Sequence, residues 1–339
     1  MTDVNSNPPG IVIASTPRLS WRRLRREPIT NILILFLVLQ AACIIAALLF
    51  PTDFRYLSAT NIGLLFRAIP MLGIISLGVG MLMITGEFDL SVGSVYTLAG
   101  YSMALLYTAG IPVWAALLAT AAIGAAIGAA NGVITVRTGI PSFIATMGSM
   151  LVVRGLVRWL SEGRAVSFHP DETFTSLLTG SFGGIDAQFL WFMFLTLIVG
   201  MLVHRTKLGN HMFLVGGSEK TALAVGINTH KVKIIAFALS GLGAALSGVI
   251  STTRVTTVTP SQGMGLELKA VAICVIGGLF LSGGRGTVLG IFLGACLMYL
   301  VEDVLLLLRA PGFYLDVFVG AILVVAVVAN TWLTKKSSR

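Results

Sequence analysis

Apolar runs of about twenty residues recur along the whole chain, and they constrain it more than any other feature. An α-helix rises 1.5 Å per residue, so about 20 residues cross a ~30 Å hydrocarbon core. Such runs fall at 29–50, 61–85, 90–107, 112–136, 141–160, 189–203, 234–251, 267–281, 286–308 and 313–333. Backbone groups cannot be left unpaired in lipid, and the runs show no strict alternation, so the spans are helices and not barrel strands. At 56% hydrophobic and 11% charged residues, a soluble domain of this length is excluded. The chain reads as an all-α integral membrane protein of about ten transmembrane helices, and its 38 glycines suit close helix packing.

The net charge of +9 is informative through its placement. Residues 1–28 form a basic tail carrying Arg18, Arg22, Arg23, Arg25 and Arg26, which belongs in the cytoplasm. The membrane domain follows at 29–333, and a second basic tail at 334–339. With ten crossings both termini are cytoplasmic, and most Lys and Arg then lie on the inner side, many of them in the loop 204–233. The apolar run after the first tail is too long for a cleavable signal peptide. Cys43, Cys274 and Cys296 sit inside apolar runs without ligand spacing and read as packing residues.

An internal repeat can be read. Gly124-Ala125-Ala126-Ile127-Gly128 recurs as Gly290-Ile291-Phe292-Leu293-Gly294, and Gly139-Ile140-Pro141-Ser142-Phe143 resembles Ala310-Pro311-Gly312-Phe313. The copies are five spans apart, so they are inverted in the membrane, a common transporter construction. Chance similarity between Gly-rich apolar segments is the competing reading.

The loop 204–233 is polar and basic at both ends and must lie outside the hydrocarbon. Gly216-Gly217 breaks the chain, Ser218 caps, Glu219 suits the positive end of a helix, and Gly226 offers a stop. A helix of about two turns results. Its small and apolar body, including Ala222, suits a groove on a partner protein, although an ordinary interfacial helix fits these residues as well.

Ionisable groups near the membrane need solvation. Glu87 and Asp89 stand at the inner boundary of the second and third spans; Asp89 caps the amides opening the third span, or else the turn, with Ser91, lines the gate of an aqueous pathway. Arg67, Arg154, Arg158, Glu267, Lys269, Glu302, Asp303 and Asp316 cluster at the outer ends, as a charged mouth or as groups snorkelling to lipid headgroups. The external segment 161–188 is long enough to touch a partner and too short for a catalytic domain. No phosphate loop, His-Glu-x-x-His site or Gly-x-Ser-x-Gly elbow occurs, and Leu281-Ser282-Gly283-Gly284-Arg285 reads as a tight turn. No catalytic or metal site is expected.

Several stretches resemble the permease family of bacterial ABC importers for monosaccharides, of the ribose, xylose, arabinose and galactoside type. They are Asp89-Leu90-Ser91-Val92-Gly93-Ser94, Asn131-Gly132, Ile140-Pro141-Ser142-Phe143-Ile144-Ala145-Thr146-Met147-Gly148, Val215-Gly216-Gly217-Ser218 through Ala222 and Gly226-Ile227, and Glu267-Leu268 through Gly283-Gly284-Arg285-Gly286. Branched-chain amino-acid permeases share the architecture, and the Asp-Leu-Ser-Val-Gly-Ser stretch favours sugars. The resemblance implies a multi-pass inner-membrane permease subunit that works with separate ABC ATPase subunits, which hold ATP and Mg, with a periplasmic solute-binding protein, and with a second permease, identical or paralogous. It implies no cofactor on this chain and no nucleic-acid partner. Gly216, Gly217, Ser218, Glu219, Ala222 and Gly226 would couple to the ATPase, and Glu87, Asp89, Ser91, Phe143, Glu267 and Lys269 would form the pathway and its gate. Glu87 replaces a usual glycine and Lys269 a usual aspartate or small polar residue, which leaves sugar alcohols, deoxysugars and a sugar-like autoinducer open as solutes. The rival is an autonomous proton-coupled carrier using Glu87, Asp89 or Glu302.

Overall fold

A computed structural model describes residues 28–314 and, beyond them, 317–321, 324, 325 and 328. The N-terminal arginine cluster, Asp316, most of the run 313–333 and the basic end 334–339 lie outside the described residues. The first long helices are α1 (Pro28–Leu49), α2 (Ala59–Ile84), α3 (Val92–Thr108), α4 (Val113–Thr138) and α5 (Ser142–Ser161). After a short segment with β1 (Val166–Ser167), α6 (Glu172–Thr179), β2 (Ser181–Phe182) and β3 (Ile185–Asp186), the chain continues through α7 (Ala187–Arg205), α8 (Lys207–Gly217) and α9 (Glu219–Ala224). It then forms α10 (Thr229–Val255), β4 (Thr257–Val258), α11 (Leu266–Ile276) and α12 (Val288–Leu307).

Local chemistry sets these boundaries. Ser58, Thr206, Asn228 and Thr287 each accept a backbone N–H from the first turn of α2, α8, α10 and α12, respectively. Gly139 ends α4 in the left-handed region at φ 72°. Seven of the described helices (α1, α2, α4, α5, α7, α10 and α12) are long and apolar enough to cross a membrane. The expected third and eighth spans are shorter. α3 has 17 residues, and α11 has 11, or about 16 Å, roughly half the hydrocarbon core. The apolar run at 267–281 continues to Leu281, but the helix ends at Gly277, where Gly278 turns the chain in the left-handed region at φ 80° and the Leu279 N–H donates back to the Cys274 carbonyl at 3.0 Å. Hydropathy registers the run and not the break.

α10 is the central helix. α4 packs along one side of it, where Gly128 meets the Phe237 carbonyl and Gly241 meets the Gly124 carbonyl, backbone against backbone. α2 and α3 pack on its other sides, and α12 lies on α2 and α11. The two glycine pairs singled out in the sequence therefore both serve close packing, Gly124 and Gly128 towards α10, Gly290 and Gly294 towards α11. α2, α10 and α12 bury more than half of their apolar length, whereas α1, α5 and α7 keep most of theirs exposed, as expected of surfaces that meet lipid or another subunit. At one end, β1 pairs antiparallel with β4, and Phe168 and Phe174 stack edge-on with Tyr107 and Trp114.

Candidate pathway and coupling site

The polar segment between α7 and α10 folds as two helices. The expected break at Gly216-Gly217 is one residue early: α8 runs through both glycines, and Ser218 is the break, its hydroxyl accepting the Thr221 N–H at 3.3 Å. Gly216 stays helical because it is pressed against a neighbour; a Cβ there would fall on the Ile84 carbonyl and 2.6 Å from the Gly284 N. Gly226 ends the short α9 region in the left-handed region at φ 81°. Ala222, expected to face a partner, is fully buried within this chain, and Ile227 beyond the helix end is buried too. The apolar residues that α9 and its C-cap present outward are Leu223 and Val225, 56% and 65% exposed.

Glu219 accepts a hydrogen bond from Lys233 at 2.9 Å, and this contact holds its carboxyl below the usual range. Lys233 also lies 2.8 Å from Glu87. Lys233 was missed in the sequence, although a carboxylate at an apolar boundary calls for a cation on the same side of the membrane, and Lys231 and Lys233 were the nearest offers.

The turn between α2 and α3 is held from three sides. The Phe88 N–H donates to Ser142 Oγ at 3.1 Å and the Leu90 N–H to Thr146 Oγ1 at 3.0 Å, both on α5. Asp89 is fully buried; it accepts the N–H of Ser91 at 2.9 Å, the hydroxyl of Ser91 at 2.6 Å and that of Ser240 on α10 at 3.2 Å. Asn131 on α4 donates in turn to Ser91 Oγ at 2.9 Å. Asp89 thus binds the residue at the start of α3, as the capping expectation requires in part, and it faces the interior of the chain. Ser91 is buried with it. Ser240 stands about 16 Å along α10 from its start, so this knot lies well inside the bundle.

The charged groups expected at one mouth are dispersed. Arg67 pairs with Asp186 at 3.2 Å, and Asp303 accepts from Asn61 at 2.8 Å. Arg154 lies 3.8 Å from Glu267, about 18 Å along α5 from Ser142, which is near mid-depth and not at an outer end. Arg158 is exposed, and no ion pair of Lys269 or Glu302 is found among the described residues. Glu267 opens α11, and its Oε2 is buried without a hydrogen-bond partner, against Gly93 in the first turn of α3. There Gly263 donates its N–H to Thr97 at 3.0 Å, so the starts of the two short helices meet. Gly93, Ser94, Thr97, Arg154, Pro260 and Gly263 line a gap beside them that is too small to admit water. Phe143, half exposed, lies on α5 at its Ser142 end.

The family model described as "Branched-chain amino acid transport system / permease component" matches residues 61–327. The chain belongs to this permease family. It is 33% identical over 282 residues to the autoinducer 2 import system permease protein LsrC of Salmonella choleraesuis, covering 83% of this chain and 81% of that protein. To the ribose import permease protein RbsC of Haemophilus influenzae it is 32% identical over 301 residues, 87% of this chain and 93% of that one. The L-arabinose ABC transporter permease protein AraH of Azospirillum brasilense is 34% identical over 313 residues, 92% and 89% of the two chains. No solved structure matches. The chain is accordingly a transport permease component and not an enzyme, and the seven candidate membrane spans among its described residues fit an integral membrane protein. Among the described residues no group of His, Cys, Asp and Glu is placed to hold a metal ion.

Proposed function

We propose that this permease carries a neutral, polyhydroxylated monosaccharide or sugar-like solute inward, driven by ATP hydrolysis on separate ABC ATPase subunits. A periplasmic binding protein delivers the solute to a pathway formed with a second permease subunit. The relatives' names, which refer to autoinducer 2, ribose and L-arabinose, support this solute class. The observation that carries the coupling role is α9, a capped helix between two membrane-spanning helices that turns Leu223 and Val225 outward while Ala222 anchors it from below. Gly216, Gly217, Ser218, Glu219 and Gly226 shape that element. Ala222 supports it and Leu223 and Val225 make the contact.

For the pathway, the reading rests on the meeting of α3 and α11. Short helices that begin inside the bundle, after irregular backbone, are characteristic of transporter sites at the repeat interface. α3 and α11, the third and eighth spans of an inverted repeat, fit that scheme. With residues 257–265, a two-residue strand followed by turns, completing the eighth crossing, and a tenth crossing counted from the apolar run of the sequence at 313–333, both termini lie in the cytoplasm. Arg154 and Glu267 then face the solute, whose hydroxyls can donate to the free carboxylate oxygen. Glu87, Asp89, Ser91 and Phe143 set the inner gate, and Lys269 lies about half a turn further along α11 than Glu267. The test is to replace Leu223 and Val225 with aspartate. The expected result is a permease that reaches the membrane and no longer retains a co-purifying ATPase; full retention would remove α9 as the docking element.

A further inference from the structure

Three segments of the chain converge on one ammonium group. Lys233, in the second turn of α10, places Nζ 2.8 Å from Glu87 Oε1 and 2.9 Å from Glu219 Oε2. Glu219 belongs to α9; Glu87 belongs to the turn that opens α3. The side chains of Lys233 and Glu87 are only 13% and 15% exposed, so water competes little for the contact, while that of Glu219 is 42% exposed. A single cation is thus shared by two carboxylates, and the cluster carries one net negative charge. An ammonium has three donors and no fixed plane, so it can follow either acceptor without losing both.

The geometry points to Lys233 as the positioning residue through which displacement of α9 reaches the inner gate. This rests on the importer reading above and gives that reading a specific contact. Glu87 is followed by Phe88 and, three residues on, by Leu90, whose N–H groups are held by Ser142 and Thr146 of α5, respectively. α5 in turn carries Arg154, which faces Glu267. When the ATPases draw α9 with its Glu219, Lys233 moves with it or is left to Glu87; either event changes the pull on the turn and hence the seat of α5. Glu87 therefore has a task at a position where the sequence resemblance leads one to expect glycine. A second route exists through backbone contact, because Gly216 and Gly284 both abut the end of α2, where the Gly284 N–H donates to the Ile84 carbonyl at 2.8 Å. The experiment must separate the two.

The three native cysteines are buried, so a cysteine introduced at the exposed Phe143 or Met147 on α5 can be labelled with little background. The complex, purified with its ATPase from the native locus, is labelled with a maleimide with and without ATP plus vanadate. In the parent complex the labelling rate changes severalfold on trapping. Lys233→Met is expected to keep the ATPase bound and lose that response, and Lys233→Arg to restore it. Glu87→Gln, which removes the same contact from the other side, is expected to behave like Lys233→Met and covers the case in which Lys233→Met fails to assemble. A normal response in Lys233→Met or Glu87→Gln overturns the proposal and leaves the glycine contact as the route. Failure of Lys233→Arg to restore the response overturns it too, as does a parent in which neither α5 position responds. A parent with no ATPase bound defeats the importer reading itself.

Discussion

Asp89 offers the sharpest test of how the start of α3 is held. Its carboxylate is fully buried and accepts from Ser91 N–H, Ser91 hydroxyl and Ser240 hydroxyl, so Asp89→Ala leaves three donors without their acceptor. Hydrogen bonds to a charged group contribute about 1.5–3 kcal/mol each. The sum is not additive: hydroxyls rotate to other acceptors, and removing the carboxylate also removes the cost of burying it. The Ser91 N–H cannot rotate, and leaving it unpaired costs about 1–3 kcal/mol alone. A net loss of roughly 2–4 kcal/mol follows for Asp89→Ala. Asp89→Asn keeps an oxygen for both Ser91 donors, and its amide can donate to Ser240, whose hydroxyl turns to accept, so its cost stays near 1 kcal/mol. Thermal unfolding of a fluorescent fusion in mild detergent, followed by size exclusion, reads the difference. The alanine variant should unfold well below the asparagine variant, which stays close to the parent. Equal midpoints for the two would refute the argument, because only the hydrogen-bonding capacity of the site distinguishes them.

Gly216→Ala should lower the yield of folded protein, since its Cβ meets the Ile84 carbonyl and overpacking costs about 1–3 kcal/mol, while Gly217→Ala, with open space around its Cβ, should be tolerated in the same size-exclusion assay. Arg154→Met strands the Glu267 carboxylate and should cost about 3–5 kcal/mol, whereas adding Glu267→Gln should recover much of it; a thermal double-mutant cycle checks the coupling. Glu219 is held below the usual carboxylate range chiefly by its Lys233 hydrogen bond. Its contribution is therefore present above the ordinary carboxylate pKa and is lost as pH falls through the lowered value, so the protection factors of amides 219–224, corrected for the intrinsic pH dependence of exchange, should be steady around neutrality and fall only in that acid window.

What could be read from the sequence was local. The ends of most spans lie within two residues of those expected, because a hydrophobic run and a capping residue act over one or two turns; Ser218 and Gly226 bound α9 for the same reason. The α10 helix outruns its apolar core at both ends; at its start Asn228 caps it, Lys231 fits an aqueous first turn, and Lys233 in the second turn is paired with Glu87 and Glu219. The partners of the ionisable groups were not legible. Asp89 meets Ser240, and Arg154 meets Glu267, across more than a hundred residues of chain, through helix packing that no periodicity encodes. Ala222 misled for a related reason: a small residue on a short helix fits a partner's groove and its own protein's core equally well, and here it is buried in the core. The shortness of α11 follows from the Gly277-Gly278 stop, with Gly278 at φ 80°, inside a run whose hydropathy continues to Leu281.

The most direct measurement of the central claim is a mild-detergent purification of the tagged permease expressed from its own chromosomal locus, with the co-purifying proteins identified and ATP hydrolysis assayed. The account predicts a bound ATPase bearing a phosphate loop and signature motif, in a complex whose hydrolysis is stimulated by a solute-loaded binding protein. A permease that repeatedly purifies alone, yet transports solute in proteoliposomes and is stopped by an uncoupler, would contradict it.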